Sequence, residues 1–408
     1  MQWRLILHSL TRHRLTVLLL VVQVALTCAI VCNVVFMIAS RSTQMRLPSG
    51  VAENQLVMIQ SVDVGDNQHP LVRHDEDLAA LRAITGVQSV AAVDALPFNE
   101  NDWTSSINTS ADSNQSGISV PASAYNGTPG ELQTLGLHLL AGRDFLPDEY
   151  VPEDSAHGGL GLSRVPATIV TRALADKLFP GGNALGKSVY PWDAHPTRIV
   201  GIVDHLLRPH LHGAGANEDS MLFSMLPDDS SVTYVLRTAP QDRLRVLRDA
   251  KTVLTGLDHQ RILRDAHTFV ELRASFFHRD RTMIGMLIAA ALALLAVTAV
   301  AIGGLASFWV QQRRKQIGIR RAIGATRGDI LRYFQSENFL IVTLGIVIGM
   351  ALAFVLNAML MRFYELPHLP LYYLPIGALV LWGLGQLAVL GPALRASQVP
   401  PVVATRSV

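Results

Sequence analysis

The 408-residue chain is 50% hydrophobic and 16% charged, with a mean hydropathy of +0.30, a composition that excludes disorder and ill suits a wholly water-soluble protein. Its two cysteines, Cys28 and Cys32, lie four residues apart in one apolar run and exclude a disulfide framework, a zinc ribbon and a Cys-x-x-Cys redox centre. The net charge of +2 is uninformative as a total, but its distribution along the chain is not.

Residues 1–14 hold Arg4, Arg12 and Arg14 and no acid. Leu15–Ala39 follows without Asp, Glu, Lys or Arg, as do Met283–Val310, Phe339–Met361 and Leu374–Leu394 further on, each 21 to 28 residues long. A helix of about 20 residues crosses roughly 30 Å of hydrocarbon, so all four runs predict transmembrane helices. The first is longer than a signal-peptide core and ends in Ile38-Ala39-Ser40 rather than an A-x-A cleavage site, which predicts an uncleaved anchor.

Between the first two spans, residues 40–282 read as an α+β domain. Gln55–Val62 predicts a strand, Asp75–Ile84 a helix, Val87–Val93 a strand and Pro129–Leu135 a second helix. Ala167–Val170, Arg172–Leu178 and Thr197–Val203 read as strand, helix and strand. Val232–Arg237 predicts a strand and Asp242–Leu254 a helix, after which the chain passes through Arg261–Leu263 to the second span. Ser105–Gly117 and His210–Asp219, rich in small and polar residues, read as surface loops.

Charge orients these pieces. Residues 40–282 carry 21 basic and 29 acidic side chains. Residues 311–338 carry six Arg and one Lys against Asp329 and Glu337, residues 362–373 only Arg362 and Glu365, and residues 395–408 two Arg and no acid. Short basic segments stay in the cytoplasm, and long domains cross largely regardless of charge. Both termini and the 311–338 loop are therefore expected inside, and residues 40–282 and 362–373 outside.

The polar residues of the spans, Gln23, Thr27, Asn33, Thr298, Thr343, Asn357 and Gln386, are all uncharged, whereas ion and proton paths use ionisable groups. No substrate is expected to pass through this membrane core. Gly345 and Gly349 fit a close helix contact, but small residues are common in membrane helices and that ordinary reading is preferred.

Two constellations in the large domain invite chemistry. Gly181–Ser188 matches the phosphate-loop pattern G-x-x-x-x-G-K-[ST], yet a predicted helix precedes it and Pro191 follows, where the motif needs a strand before and a helix after. A Gly-rich turn is the expectation. His205, His210 and His212 beside Asp204 have zinc-ligand chemistry, but lie in a polar loop where solvated histidines are the ordinary reading.

The 311–338 loop is the most informative segment. Gly324 is placed to end one helix in a left-handed turn, and Thr326 to cap the next with Asp329 in a variant capping box. Ile317, Ile319 and Ile323 lie beside Arg313, Arg314, Lys315, Arg320 and Arg321, which makes apolar knobs with a basic rim. On physics alone, docking to a cytoplasmic protein and contact with anionic lipid are equally served.

Gln316–Ile330, QIGIRRAIGATRGDI, closely resembles the loop between the second and third spans of MacB/FtsX-like ABC permeases. LLAGRDF at Leu139–Phe145, LFPGGNALGKSV at Leu178–Val189 and RIVGIVD at Arg198–Asp204 resemble signatures of that family's outer domain. The run from Pro392, PALRASQVPPVVATRSV, resembles its C-terminal end, so the resemblance covers nearly the whole chain in order. One departure is Gln316, where family members usually have Glu.

The resemblance implies an integral membrane fold: four transmembrane helices, with a large α+β extracytoplasmic domain between the first and second. That domain would have a Porter-like part drawn from both ends and a Sabre-like part at roughly 143–230. It implies a bacterial inner membrane location and mechanotransmission. The coupling helix, Gln316, Ile317, Gly318, Ile319, Arg320, Arg321, Ala322, Ile323, Gly324 and Ala325, would dock into an ABC ATPase on a separate polypeptide. That ATPase binds ATP and magnesium, and this chain itself carries no cofactor, metal or catalytic site. A second permease protomer, identical or not, pairs with the first, and the resemblance admits a periplasmic adaptor and an outer-membrane channel; nucleic acid has no part. The implied function is export of a peptide, lipid-linked or amphiphilic cargo. The alternatives are an FtsX-like regulator of a cell-wall hydrolase and a LolC-like lipoprotein-releasing permease, and the outer-domain signatures favour the exporter.

Overall fold

The computed structural model describes residues 14–64, 70–99, 101–111, 117–152, 165–192, 195–211, 216–228, 230–364, 370 and 373–398. Arg4, Arg12, His212, most of the 362–373 loop and the tail from Val399 lie outside them. The chain divides into two compact units, Met1–Met45 with Asp280–Val408, and Arg46–Arg279.

Helix α1, Arg14–Gln44, is apolar nearly throughout and carries Arg41 in its last turn. The inter-span domain then runs β1 (Leu56–Val62), α2 (Pro70–Arg82), β2 (Val87–Val93), β3 (Trp103–Asn108), β4 (Ser119–Asn126), α3 (Glu131–Leu135), β5 (Leu139–Gly142) and β6 (Val151–Pro152). It continues through β7 (Ala167–Thr171), α4 (Arg172–Leu178), β8 (Ser188–Val189), β9 (Thr197–Val203), β10 (Ser220–Phe223) and β11 (Met225–Leu226). Last come β12 (Ser231–Thr238), α5 (Arg243–Leu257), β13 (Ile262–Thr268) and α6 (Phe269–Phe276).

Two sheets organise these elements. The first, in the order β13-β1-β12-β2, is antiparallel throughout and takes its strands from both ends of the domain. Val246, Leu247, Ala250 and Leu254 recur at helical spacing along α5 and, with Leu78 and Leu81 of α2, cover Val57, Ile59, Val90, Tyr234 and Leu236. The second sheet, β3-β4-β10-β7-β9-β5 with β8 beside β9, is mixed and comes from the middle of the domain. It includes β3 and β4, which precede the stretch expected to form the Sabre-like part. Each sheet with its helices forms one lobe; in the second, Ala124, Val170, Ile199, Met221 and Phe223 face one core, and Tyr125, Ile169, Val203 and Leu222 face another with Leu132 and Phe145.

The expected Ser105–Gly117 loop begins instead as strand: β3 ends at Asn108, with Ile107 fully buried. As an edge strand β3 pairs along its length with β4 and on its other side meets Tyr190 at Asn108 and the Pro191 carbonyl at Ser105, an arrangement that tolerates Ser and Asn. Strand β4 escaped the pattern reading because Pro121 interrupts it. The partner β10 reaches only from Ser123 to Asn126, so Pro121 faces no strand on that side and its missing N–H is not needed.

At the crossing between the lobes, Asp94 accepts hydrogen bonds from the Asn126 backbone and side chain. Glu131, at the start of α3, is buried nearby, and its Oε1 has no hydrogen-bond partner among the described residues. Burial, and then the charges of Asp94 and Asp144, push its carboxyl well above the ordinary range. Folded Glu131 thus holds its proton at pH values where unfolded Glu131 loses it. The stability contributed by the neutral form is complete in acid and falls as pH rises. Glu131→Gln is expected to remove this slope, read as the domain's unfolding midpoint against pH in the whole chain; an unchanged slope overturns the assignment.

The chain returns to the bundle through α7 (His278–Gln312), α8 (Arg314–Ala322), α9 (Arg327–Tyr364) and α10 (Tyr373–Ser397). Helices α1, α7, α9 and α10 are long and apolar enough to cross a membrane. Gly345 and Gly349 of α9 do mediate close contact, against the preferred reading. A Cβ on Gly345 would sit 2.7 Å from Val24 Cβ, and one on Gly349 2.5 Å from Cys28 Cβ.

The uncharged polar residues join helices to one another. Thr27 Oγ1 lies 2.8 Å from Thr298 Oγ1, the Asn33 amide donates to the Ala353 carbonyl at 3.2 Å, and the Asn338 amide donates to Gly385 at 2.9 Å. Arg41 of α1 pairs with Asp280 of α7.

Candidate functional site

The connection from α7 to α9 is built by local chemistry. Helix α8 closes in a Schellman arrangement: the Ala325 N–H donates to the Arg320 carbonyl at 3.0 Å and the Gly324 N–H to Arg321 at 3.2 Å, with Gly324 at φ +107°. Asp329 then accepts from the Thr326 backbone at 3.0 Å and from its hydroxyl at 2.6 Å, while Thr326 Oγ1 accepts from the Asp329 N–H at 3.2 Å. This is the reciprocal box the sequence predicts, and it starts α9.

The three isoleucines do not share a face. Ile317 is 5% exposed and packs with Trp309, Ile330 and Phe334 in the bundle's own core, with Gly318 buried beside it. Ile319 and Ile323 are 45% and 82% exposed. Gln316, Arg320, Ala322 and Gly324 are exposed around them, and Arg321 and Ala325 are half-buried. The Arg320 guanidinium lies 4.9 Å from the Tyr333 ring centroid, which holds one basic group over the start of α9.

Beneath this surface is a pair the sequence reading did not single out. Arg313, between α7 and α8, donates through Nη1 to Glu337 of α9 at 2.8 and 3.1 Å, and the Glu337 side chain is only 2% exposed. The available signal was an acid in a basic segment, two residues before the apolar run that begins at Phe339. Trp309 Nε1 is buried without a hydrogen-bond partner among the described residues and lines a small cavity with Phe334, Glu337 and Asn338. Arg313, Glu337 and Ile317 therefore root α8 against α7 and α9, and leave Ile319 and Ile323 projecting.

The other constellations are brought to different ends. The phosphate-loop look-alike follows α4 and precedes the short strand β8, so no helix N-terminus stands behind it. Its Gly182, Leu185, Gly186 and Lys187 amides already bond to Phe179, Asn183, Ile199 and Ala184, and Lys187 Nζ lies 4.3 Å from the Phe179 ring centroid. His205 faces Glu218 at 3.3 Å and Asp204 at 3.6 Å, while His210 lies edge-on to Phe276. Among the described residues no group of three or more metal-ligating side chains comes together.

Residues 15–255 match the family profile of the MacB-like periplasmic core domain, well over half of the chain. The chain belongs to the MacB/FtsX-like ABC permease family. Residues 288–401, which contain α8, match the profile of the FtsX-like permease C-terminal region.

Among relatives, the macrolide export ATP-binding/permease protein MacB of Bartonella henselae is 29% identical over 288 residues, covering 67% of this chain and 40% of its own length. The protein of the same name from Campylobacter jejuni is 23% identical over 414 residues, covering 97% of this chain and 60% of its own length. The chain thus spans 40% of the length of the first relative and 60% of the second. The solved periplasmic region of MacB from Actinobacillus actinomycetemcomitans aligns at a TM-score of 0.32 and 14% identity, over 53% of this chain and 90% of that one.

Proposed function

We propose that this chain is the permease subunit of a MacB-like exporter in a bacterial inner membrane, with residues 40–282 periplasmic and both ends and α8 cytoplasmic. An ABC ATPase on another polypeptide binds ATP and magnesium and seats α8. Its cycle moves the permease, paired with a second protomer, so that the inter-span domain expels a peptide, lipid-linked or amphiphilic cargo already in the periplasm. This chain binds no cofactor and catalyses no reaction of its own.

One observation carries this reading: two isoleucines of a short capped helix stand in the open among arginines, while the third roots the helix in the bundle. An apolar pair of this kind is stabilised by insertion into a partner's cleft. The names of the relatives supply the class of partner and the direction of transport. The absence of ionisable groups from the charge-free runs supports movement of helices over conduction through them.

Topology and partnership are tested together. The native Cys28 and Cys32 are buried in the bundle, so introduced thiols report alone. In spheroplasts, Asp148→Cys is expected to react with a membrane-impermeant maleimide, and Ala322→Cys only after permeabilisation. The unaltered chain is expected to co-purify with an ABC ATPase. Labelling in the opposite sense, or purification without any ATPase, sinks the proposal.

A further inference from the structure

Residues 47–53, where the chain comes in from α1, and residues 269–277, where it leaves toward α7, meet inside the inter-span domain on one side chain. Arg273 of α6 donates through Nη1 to the Glu53 carboxylate and through Nη2 to the Leu47 carbonyl, 2.8 Å away. Its guanidinium lies over the rings of Phe98 and Phe277, with centroids 5.1 and 6.0 Å from Cζ. Glu53 also accepts from the Ser49 hydroxyl at 2.6 Å. The start of α6 is held to the end of β13 by the Thr268–Glu271 capping box.

Phe98 lies on the linker that crosses from β2 of the first sheet to β3 of the second. It is 2% exposed and sits at φ +70°, a conformation that is strained for a bulky residue and persists only where its surroundings impose it. Those surroundings are Phe269, Phe276 and Phe277, with ring centroids 6.0, 5.4 and 5.4 Å away, and the Pro209 carbonyl, which accepts the Phe98 N–H at 3.2 Å. The loop after β9 is bound in as well. The Leu207 N–H donates to Ser49 at 3.0 Å, and Gly50, at φ +88°, passes so close to the His205 carbonyl that a Cβ would overlap it. The incoming segment, the outgoing helix, the crossing linker and a loop of the second lobe thus converge on one guanidinium and its aromatic bed.

We propose that Arg273 is the joint that passes displacement of the domain's two ends into both lobes. A joint of this kind must resist pull in several directions. A planar guanidinium meets that need, because its edge bonds a carboxylate and a carbonyl while its faces take aromatic rings; an ammonium offers no such face. Arg273 is a positioning residue, touching neither cargo nor nucleotide. The assignment rests on the mechanotransmission reading above and names the residue through which it acts.

The test is hydrogen–deuterium exchange on the whole complex with its co-purifying ATPase in nanodiscs, comparing ATP plus vanadate with no nucleotide. The unaltered chain is expected to show a nucleotide-dependent difference both at β13 and at residues 205–211. Arg273→Ala is expected to reduce that difference by about fivefold or more, with ATP turnover held within about twofold and the difference at α8 kept. Arg273→Lys, which preserves charge without the planar stack, should fall between the two. A full difference in Arg273→Ala overturns the joint and leaves the functional reading standing. No difference in the unaltered chain removes the functional reading and the joint with it. Should Arg273→Ala not fold, Glu53→Gln decides by the same measurement, since it keeps both ring contacts: loss of about half the difference or more supports the joint, and no loss overturns it.

Discussion

The chain carrying Ile319→Asp together with Ile323→Asp keeps its inter-span domain and its bundle and loses its ATPase. Both side chains are exposed, so neither substitution opens a cavity in the chain's own core. Burying an isoleucine fully in a partner contributes about 1.5–3 kcal/mol. Only the exposed parts, 45% of Ile319 and 82% of Ile323, remain to be buried, so the pair contributes about 2–4 kcal/mol. At about 1.4 kcal/mol per tenfold, docking weakens at least about 30-fold before the cost of burying two carboxylates is counted. Co-purification of the ATPase and the ATP turnover of the assembled complex measure this, with thermal unfolding of the chain as control. Undiminished association in the double variant removes α8 as the docking element. Ile317→Asp, by contrast, places a carboxylate in the bundle core and should fail by unfolding the root of α8.

Breaking the Arg313–Glu337 pair is expected to have the largest effect on the bundle itself. Both side chains are withdrawn from water, so deleting one leaves the other with its desolvation uncompensated, at a cost of about 3–5 kcal/mol. Arg313→Leu and Glu337→Leu should each lower the unfolding midpoint markedly. The double variant should be more stable than either single, because no lone charge remains buried. Unfolding of the three variants in one detergent gives the coupling energy directly. Additive losses would show that the pair is a bystander. Without it α8 keeps its caps but loses the tie that fixes its direction, so the double variant is also expected to bind the ATPase more weakly than its stability implies.

Helix α4 and strand β9 were legible residue for residue, because Thr171 caps the one and an apolar run defines the other. Strands β3 and β4 were not, since Ser, Asn, Ala and Pro121 give no alternation strong enough to read. The close packing at Gly345 and Gly349 was visible only as a spacing, which many membrane helices show without using it. In the coupling segment the turn at Gly324 and the box at Thr326 were read correctly. The equivalence given to the three isoleucines was wrong, because their spacing fixes directions around a helix without saying which direction meets the bundle.

Hydropathy, charge and capping act over a few residues up to the length of one helix, and they alone establish four apolar helices, a large α+β insertion after the first and a capped helical turn between the second and third. Contacts that join distant parts of the chain carry no such local signature. Arg313 meets Glu337 24 positions away and Arg273 meets Glu53 220 positions away. Which isoleucines stand free, where the buried ion pair lies and which arginine gathers the ends of the domain follow from how whole helices and sheets pack, and packing depends on all of the surfaces at once.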